Sequence, residues 1–239
     1  LRAAFGHDDG AGRGMAERRP VRAGRRQAIV AVDQREQPRR PRDGVARQAV
    51  GAILNLEASF QRDEQSANVS TLAPPPDLPQ PDALEQSSWS VAFERAFVPS
   101  DRVSPSVERD GRGRATAWLR TTEPIGDDRV TQAAALAYMS DDLPTDAVVQ
   151  AHPVRSEPDE ILYKALFTAS LDHTIWFHRP MRADEWHLHD FTCHSFVGGR
   201  GLAIGHVFDL AGRHVATVAQ EVLLRDTRDR ADTATTERS

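Results

Sequence analysis

The second half of this 239-residue chain is predicted to fold as an α+β domain, one helix laid against a curved antiparallel sheet. Three observations carry the prediction. Residues 91–98 and 114–122 read as strands and come before anything helical. Residues 129–139 then hold Val130, Ala133, Ala134, Leu136, Ala137, Tyr138 and Met139, apolar nearly all round, as a buried helix is. Four strand-like segments follow, about 164–177, 185–196, 201–209 and 214–225, with Asp209 to Arg213 as a hairpin turn. Strands, one buried helix, then strands again give a helix wrapped by an antiparallel sheet, the layout called a hotdog.

Taken in order, residues 1–52 are rich in Arg, Gly, Ala, Asp and Gln, with no sustained period of 2 or 3.6. Their only apolar run, Ala28 to Val32, is too short to build a core. Ordering a residue costs about 1–2 kcal/mol of backbone entropy, which this composition cannot offset, so disorder is expected there. At Ala52 the character changes abruptly: Ala52 to Gln61 alternates as a strand does, with Ile53 on one face and Leu54 on the other. Residues 71–87, with five prolines within 71–82, read as a linker. The folded domain is expected over 88–225. Within it Gly111 to Gly113 turns between two strands, and Asp127-Asp128 offers an N-cap to the helix. Residues 226–239 are polar without pattern and are expected to be a disordered tail.

Composition excludes several classes. A single cysteine, Cys193, permits no intrachain disulfide. No stretch of 18 apolar residues exists, so membrane insertion is not expected. Residues 1–15 hold no apolar signal core, which makes the cytoplasm the default compartment. The net charge of -5 is uneven: residues 1–52 carry twelve Arg against six acidic residues. A basic arm on an acidic body suggests nucleic acid, but only Phe5 could stack on a base there, so no nucleic-acid partner is expected. Lys164 is the only lysine among thirty basic residues, which points to GC-rich coding. In such a gene an Arg/Gly/Ala/Pro-rich segment is what an out-of-frame reading yields. The chain opens on Leu rather than Met and reads as a fragment.

The run Ser170-Leu171-Asp172-His173-Thr174-Ile175-Trp176-Phe177-His178-Arg179-Pro180 is specific. With Ala183-Asp184-Glu185-Trp186, Gly199-Arg200-Gly201-Leu202 and Val218-Ala219-Gln220-Glu221, it resembles the acyl-CoA thioesterase II family. The resemblance covers about 88–225 well and 53–65 weakly, where Glu57 to Gln61 looks like the last strand of a first hotdog. It implies two fused hotdogs, the first reduced here to a remnant at 53–70. It also implies hydrolysis of acyl-CoA to fatty acid and coenzyme A, a homo-oligomer, and no metal or cofactor. It places the water-holding group on Asp141 of Tyr138-Met139-Ser140-Asp141, on Ser170, and on Gln220 of the last strand. The rival of a different class is an impaired remnant that binds acyl-CoA or a partner subunit without turnover.

The residues themselves fit such a role in part. Hydrolysis of a thioester asks for one positioned, activated water, because the thiolate leaves readily. A carboxylate can take the proton, and a hydroxyl and an amide can orient the water. Asp141 stands at the C-terminal end of the predicted helix, where the macrodipole disfavours an anion. Gln220 alternates with Val218, Val222 and Leu224 on an apolar strand face, an unusual place for an amide. Ser170 alone is unremarkable and lies in no nucleophile elbow. Asp172-His173 invites a triad reading, but neighbours on a strand point to opposite faces, so Asp172 and His178 are read as structural. His187 and His189 would share one strand face, which a metal could use, yet no third ligand stands at clear spacing. Cys193 reads as an inert strand cysteine. Arg200, in a glycine-rich bend, is the candidate contact to coenzyme A phosphates.

Overall fold

The computed structural model describes residues 42–48, 51–60, 64–103, 113–156 and 164–228. Residues 1–41, the turn residues Gly111 and Arg112, and most of the expected tail lie outside these. Strand β1 (Arg42–Gln48) pairs antiparallel with β2 (Gly51–Ala58). The sequence reading expected no regular strand before Ala52, and β1 corrects it. A strand needs a neighbour for its backbone N–H and C=O groups more than it needs a hydrophobic period, and β2 supplies that neighbour.

The remaining strands form one eight-stranded antiparallel sheet. They are β3 (Gln86–Ser87), β4 (Phe93–Phe97) and β5 (Arg114–Thr121), then β6 (Leu166–Ser170), β7 (Thr174–Phe177), β8 (His187–Val197), β9 (Arg200–Asp209) and β10 (His214–Asp226). The spatial order is β3-β4-β5-β8-β9-β10-β6, and β7 pairs with β10 as β6 does. Side chains alternate between two faces, and both faces are used. One presents Ala117, Leu119, Phe191, Ala203, Val207, Val218, Val222 and Leu224 to the main core. The other presents Ala96, Trp118, Leu188 and Phe208 to a second cluster, over which Leu78 and Leu84 of the proline-rich segment pack. Trp118 Nε1 donates to the Pro79 carbonyl at 3.0 Å, so that segment is fastened to the sheet.

Helix α1 (Arg129–Met139) starts where expected: the Asp128 carboxylate accepts from the Thr131 N–H at 2.9 Å. Its burial differs from expectation. Only Gln132, Leu136 and Met139 are buried, one stripe at helical spacing, and Tyr138 is exposed. The alanines that make α1 look apolar all round are small and fix no face. The helix that the sheet wraps is instead α2 (Leu143–Ala151), which packs on β5, β8, β9, β10 and β6. Its Leu143, Ala147 and Val148 are fully buried. Pro144 and Asp146 hide α2 in the sequence, although proline is well tolerated in a first helical turn. Glycine makes room for it: a Cβ at Gly201 of β9 would lie 2.4 Å from a Val148 methyl.

The stretch expected as a single strand over 164–177 is two strands. Ser170 pairs with Val222 and Thr174 with Ala219, so three residues, Leu171 to His173, stand opposite two, Gln220 and Glu221. This is a β-bulge. Asp172 pins it, since its Oδ1 accepts the Glu221 N–H at 2.7 Å while the Leu171 N–H donates to the Glu221 carbonyl at 2.8 Å.

Candidate active site

The bulge decides which side chains meet. In an unbroken strand, residues three apart point to opposite faces. The extra residue turns both Ser170 and His173 towards Gln220, which is fully buried on the inner face of β10. Asp141 reaches the same point from the junction of α1 and α2. Ser170 Oγ donates to Asp141 Oδ1 at 3.0 Å, and Gln220 Nε2 donates to Ser170 Oγ at 2.9 Å. The other end of the carboxamide, Gln220 Oε1, accepts from His173 Nδ1. His173 Nε2 lies 2.9 Å from the hydroxyl of buried Ser140, the C-cap of α1 and the chain neighbour of Asp141. The five side chains thus form a closed circuit, Asp141–Ser170–Gln220–His173–Ser140.

Burial pushes the Asp141 carboxyl above the usual range for an aspartate, and the nearby Asp142 adds to this. The hydrogen bonds from Gln220 and Ser170 and the charge of His173 act the other way. The dipole argument against an anion at this place is softened by α2, whose N-terminus begins two residues after Asp141 and favours negative charge. Asp142 next door is held separately. Trp89 Nε1 donates to its Oδ1 at 2.6 Å, and the Arg95 guanidinium reaches its two oxygens at 3.2 and 3.1 Å.

Three of the four candidate residues therefore come together, and Arg200 does not. Gly201 faces α2, so Arg200 beside it faces outward, and its Nη1 pairs with Glu221 Oε2 at 3.2 Å. Arg200 follows a tight turn that Gly198 and Gly199 make with φ of 62° and 78°. His187 and His189 do share the inner face of β8, their rings 4.9 Å apart. Among the described residues no group of three or more His, Cys, Asp or Glu could hold a metal ion. Burial pushes the Cys193 thiol up, away from nucleophilic character. Sequence reasoning missed His173 and Ser140. The usable signal was Asp172, a residue type depleted in strands, which marks the interruption.

The match to the acyl-CoA thioesterase C-terminal domain family runs over residues 70–224. The chain belongs to this family. Among curated proteins, 110 residues are 38% identical to acyl-CoA thioesterase 2 of Haemophilus influenzae, covering 46% of this chain and 36% of that protein. Another 35% identity over 109 residues links it to mouse acyl-coenzyme A thioesterase 8, covering 45% of this chain and 32% of that one. The matched part is thus about a third of the length of these curated relatives. Among solved structures, an acyl-CoA thioesterase II from Mycobacterium marinum superposes with a TM-score of 0.67 at 32% identity, over 81% of this chain and 72% of its own. A hot dog fold protein from Alicyclobacillus acidocaldarius, 16% identical with a TM-score of 0.55, supports the fold alone. The family domain accordingly holds the whole Asp141, Ser170 and Gln220 arrangement. Among the described residues no helix is long and apolar enough to cross a membrane.

Proposed function

We propose that this thioesterase-family chain hydrolyses acyl-CoA to a free fatty acid and coenzyme A, with Asp141, Ser170 and Gln220 holding the attacking water. The observation that carries the reading is the hydrogen-bonded chain from Gln220 through Ser170 to Asp141. Each group has a part. Asp141, made more basic by burial, accepts the water's proton as its oxygen adds to the thioester carbonyl carbon. The C–S bond then breaks, the electron pair leaves on the coenzyme A sulfur, and the proton passes to that thiolate. Ser170 donates its one hydrogen to Asp141 and so fixes the carboxylate. Gln220 keeps the Ser170 hydroxyl pointed that way, and its NH2 end also bonds the Asp141 carboxylate, so the three groups converge on the place where the water is held. Water is the only co-reactant that the balance of this reaction requires. Arg200, paired on the outer face, takes no part in this proposal.

We further place the protein in the cytoplasm as a homo-oligomer. Exposed Phe167, Leu171, Trp176 and Phe177 lie along the edge made by β6 and β7, which supports self-association. The deciding experiment is thiol release from a medium- or long-chain acyl-CoA by the purified chain, beside Asp141→Ala. Turnover that the variant loses supports the reading. Folded, soluble protein without turnover overturns it.

A further inference from the structure

The Gln220 carboxamide can sit in either of two orientations that differ by a flip of its end. Only one serves the arrangement proposed above. With the NH2 towards Ser170, the serine hydroxyl must accept from Gln220 and spends its hydrogen on Asp141. With the carbonyl towards Ser170, the hydroxyl would instead be drawn to donate to Gln220, and Asp141 would lose its partner. Ser170 cannot settle the matter, because a hydroxyl both donates and accepts.

We infer that His173 is the positioning residue that holds Gln220 in this orientation from the carbonyl end, while the Asp141 carboxylate, which only accepts, meets the NH2 end. In this orientation Nδ1 faces Gln220 Oε1, an acceptor with no hydrogen to give, so the pairing requires a proton on Nδ1. That N–H holds the carbonyl end of Gln220 and turns the NH2 towards Ser170, 2.9 Å away. Nε2 meets the Ser140 hydroxyl at 2.9 Å, and Ser140 Oγ donates its hydrogen to the Ala137 carbonyl of α1 at 2.9 Å. His173 therefore ties β10 to the end of the helix that presents Asp141, and it imposes a direction on the whole circuit. It can do so only because the bulge pinned by Asp172 turns it to the side of Ser170. This role rests on the proposed reading of the site, since direction matters only if the circuit serves a reaction.

Two substitutions separate direction from bulk. His173→Phe keeps a ring but removes both nitrogens. His173→Asn offers an amide N–H near the place of Nδ1. The expected result is a loss in kcat of about ten- to a hundred-fold for His173→Phe, part of what positioned proton transfer supplies. KM should change by less than about two-fold because the residue binds no substrate. His173→Asn should recover most of kcat. Wild-type kcat in a folded His173→Phe variant, or no recovery in a folded His173→Asn variant, overturns the inference. A second readout needs neither turnover nor a variant: long-range nitrogen–proton NMR of the imidazoles in the wild-type chain. A proton on His173 Nδ1 is expected, and a ring protonated only at Nε2 overturns the inference. If the chain hydrolyses no acyl-CoA, the proposed function falls, while the NMR result still decides whether His173 sets the Gln220 amide.

Discussion

Gln220 on β10 and His189 on β8 are both fully buried polar side chains on the inner face of one sheet, and their surroundings are opposite. Both ends of Gln220 are bonded, to Ser170 and to His173. Neither nitrogen of His189 has a hydrogen-bond partner, and His187 Nε2 beside it has none either. A buried polar group left unpaired costs about 1–3 kcal/mol, whereas a satisfied one fixes a geometry at little net cost. The same sheet thus carries one polar group used to build a site and another that acts as a burden on stability. The reason is local. β10 is met by an interrupted strand whose bulge delivers two polar side chains, while β8 is flanked by β5 and β9, whose facing residues are Ala117 and Val207.

The contrast breaks first at Asp141. Replacing it with Asn should cut kcat by about a hundred- to ten-thousand-fold, the usual worth of a general base. The melting temperature should hold or rise, because a carboxylate disfavoured by burial is gone. A drop in stability with kcat preserved would mark the circuit as structural. The pH profile sharpens the same point. In the proposed mechanism Asp141 acts as the ionised carboxylate, and burial raises its pKa, so kcat/KM should fall on acidification at a pH above the ordinary aspartate value. Asp141→Asn should abolish that limb.

The histidine pair predicts a stability effect of defined sign. Burial drives His187 down to about 4 and His189 well below the usual value. The unfolded chain, with ordinary histidines near 6.5, binds protons more readily across this window than the folded one. Stability conferred by keeping the rings neutral is therefore complete above about pH 6.5 and is lost as the pH falls towards 4. It amounts to about 3 kcal/mol for His187. The part of the difference between denaturant unfolding at pH 7 and at pH 4.5 that His187→Leu removes measures it, because buried Asp146, its carboxyl pushed up to about 7, changes stability in the opposite direction over the same range. Burial gives Asp141 the same sign as Asp146, opposite to the histidines.

Smaller effects follow from packing and from removal of the unpaired ring. Gly201→Ala should destabilise by about 1–3 kcal/mol, since its Cβ would overlap Val148 of α2 at 2.4 Å. His189→Leu is expected to stabilise by about 1 kcal/mol at pH 7, because it exchanges an unpaired imidazole for an aliphatic group of similar size. A loss above about 1 kcal/mol in chemical unfolding would show that the ring holds the strand face together. Gln220→Leu, by contrast, should leave Ser170 and His173 with unmatched groups and cost stability as well as turnover.

Much of this was legible along the chain. Strands β4, β5, β8, β9 and β10 lie within a few residues of the expected segments, because alternation and a hairpin turn are local signals. The start of α1 was legible for the same reason, through the cap at Asp128. Gln220 stood out as an amide on an apolar stripe. The wrapped helix was not legible, since Pro144 and Asp146 break the pattern of α2, and its fit shows only in the fold, where Gly201 of β9 leaves room for Val148. Nor was β1, whose stability as a strand comes from β2 beside it.

The sequence by itself determined the α+β class, the antiparallel run of strands, and the residue types that stand at Asp141, Ser170 and Gln220, because periodicity and residue chemistry are properties of short segments. Only the tertiary structure decided that α2 is the helix inside the sheet, that Arg200 faces away, and that His173 joins the circuit. Those outcomes depend on strand register: three residues of one strand opposite two of another move every later side chain to a new face, and no single segment contains that count.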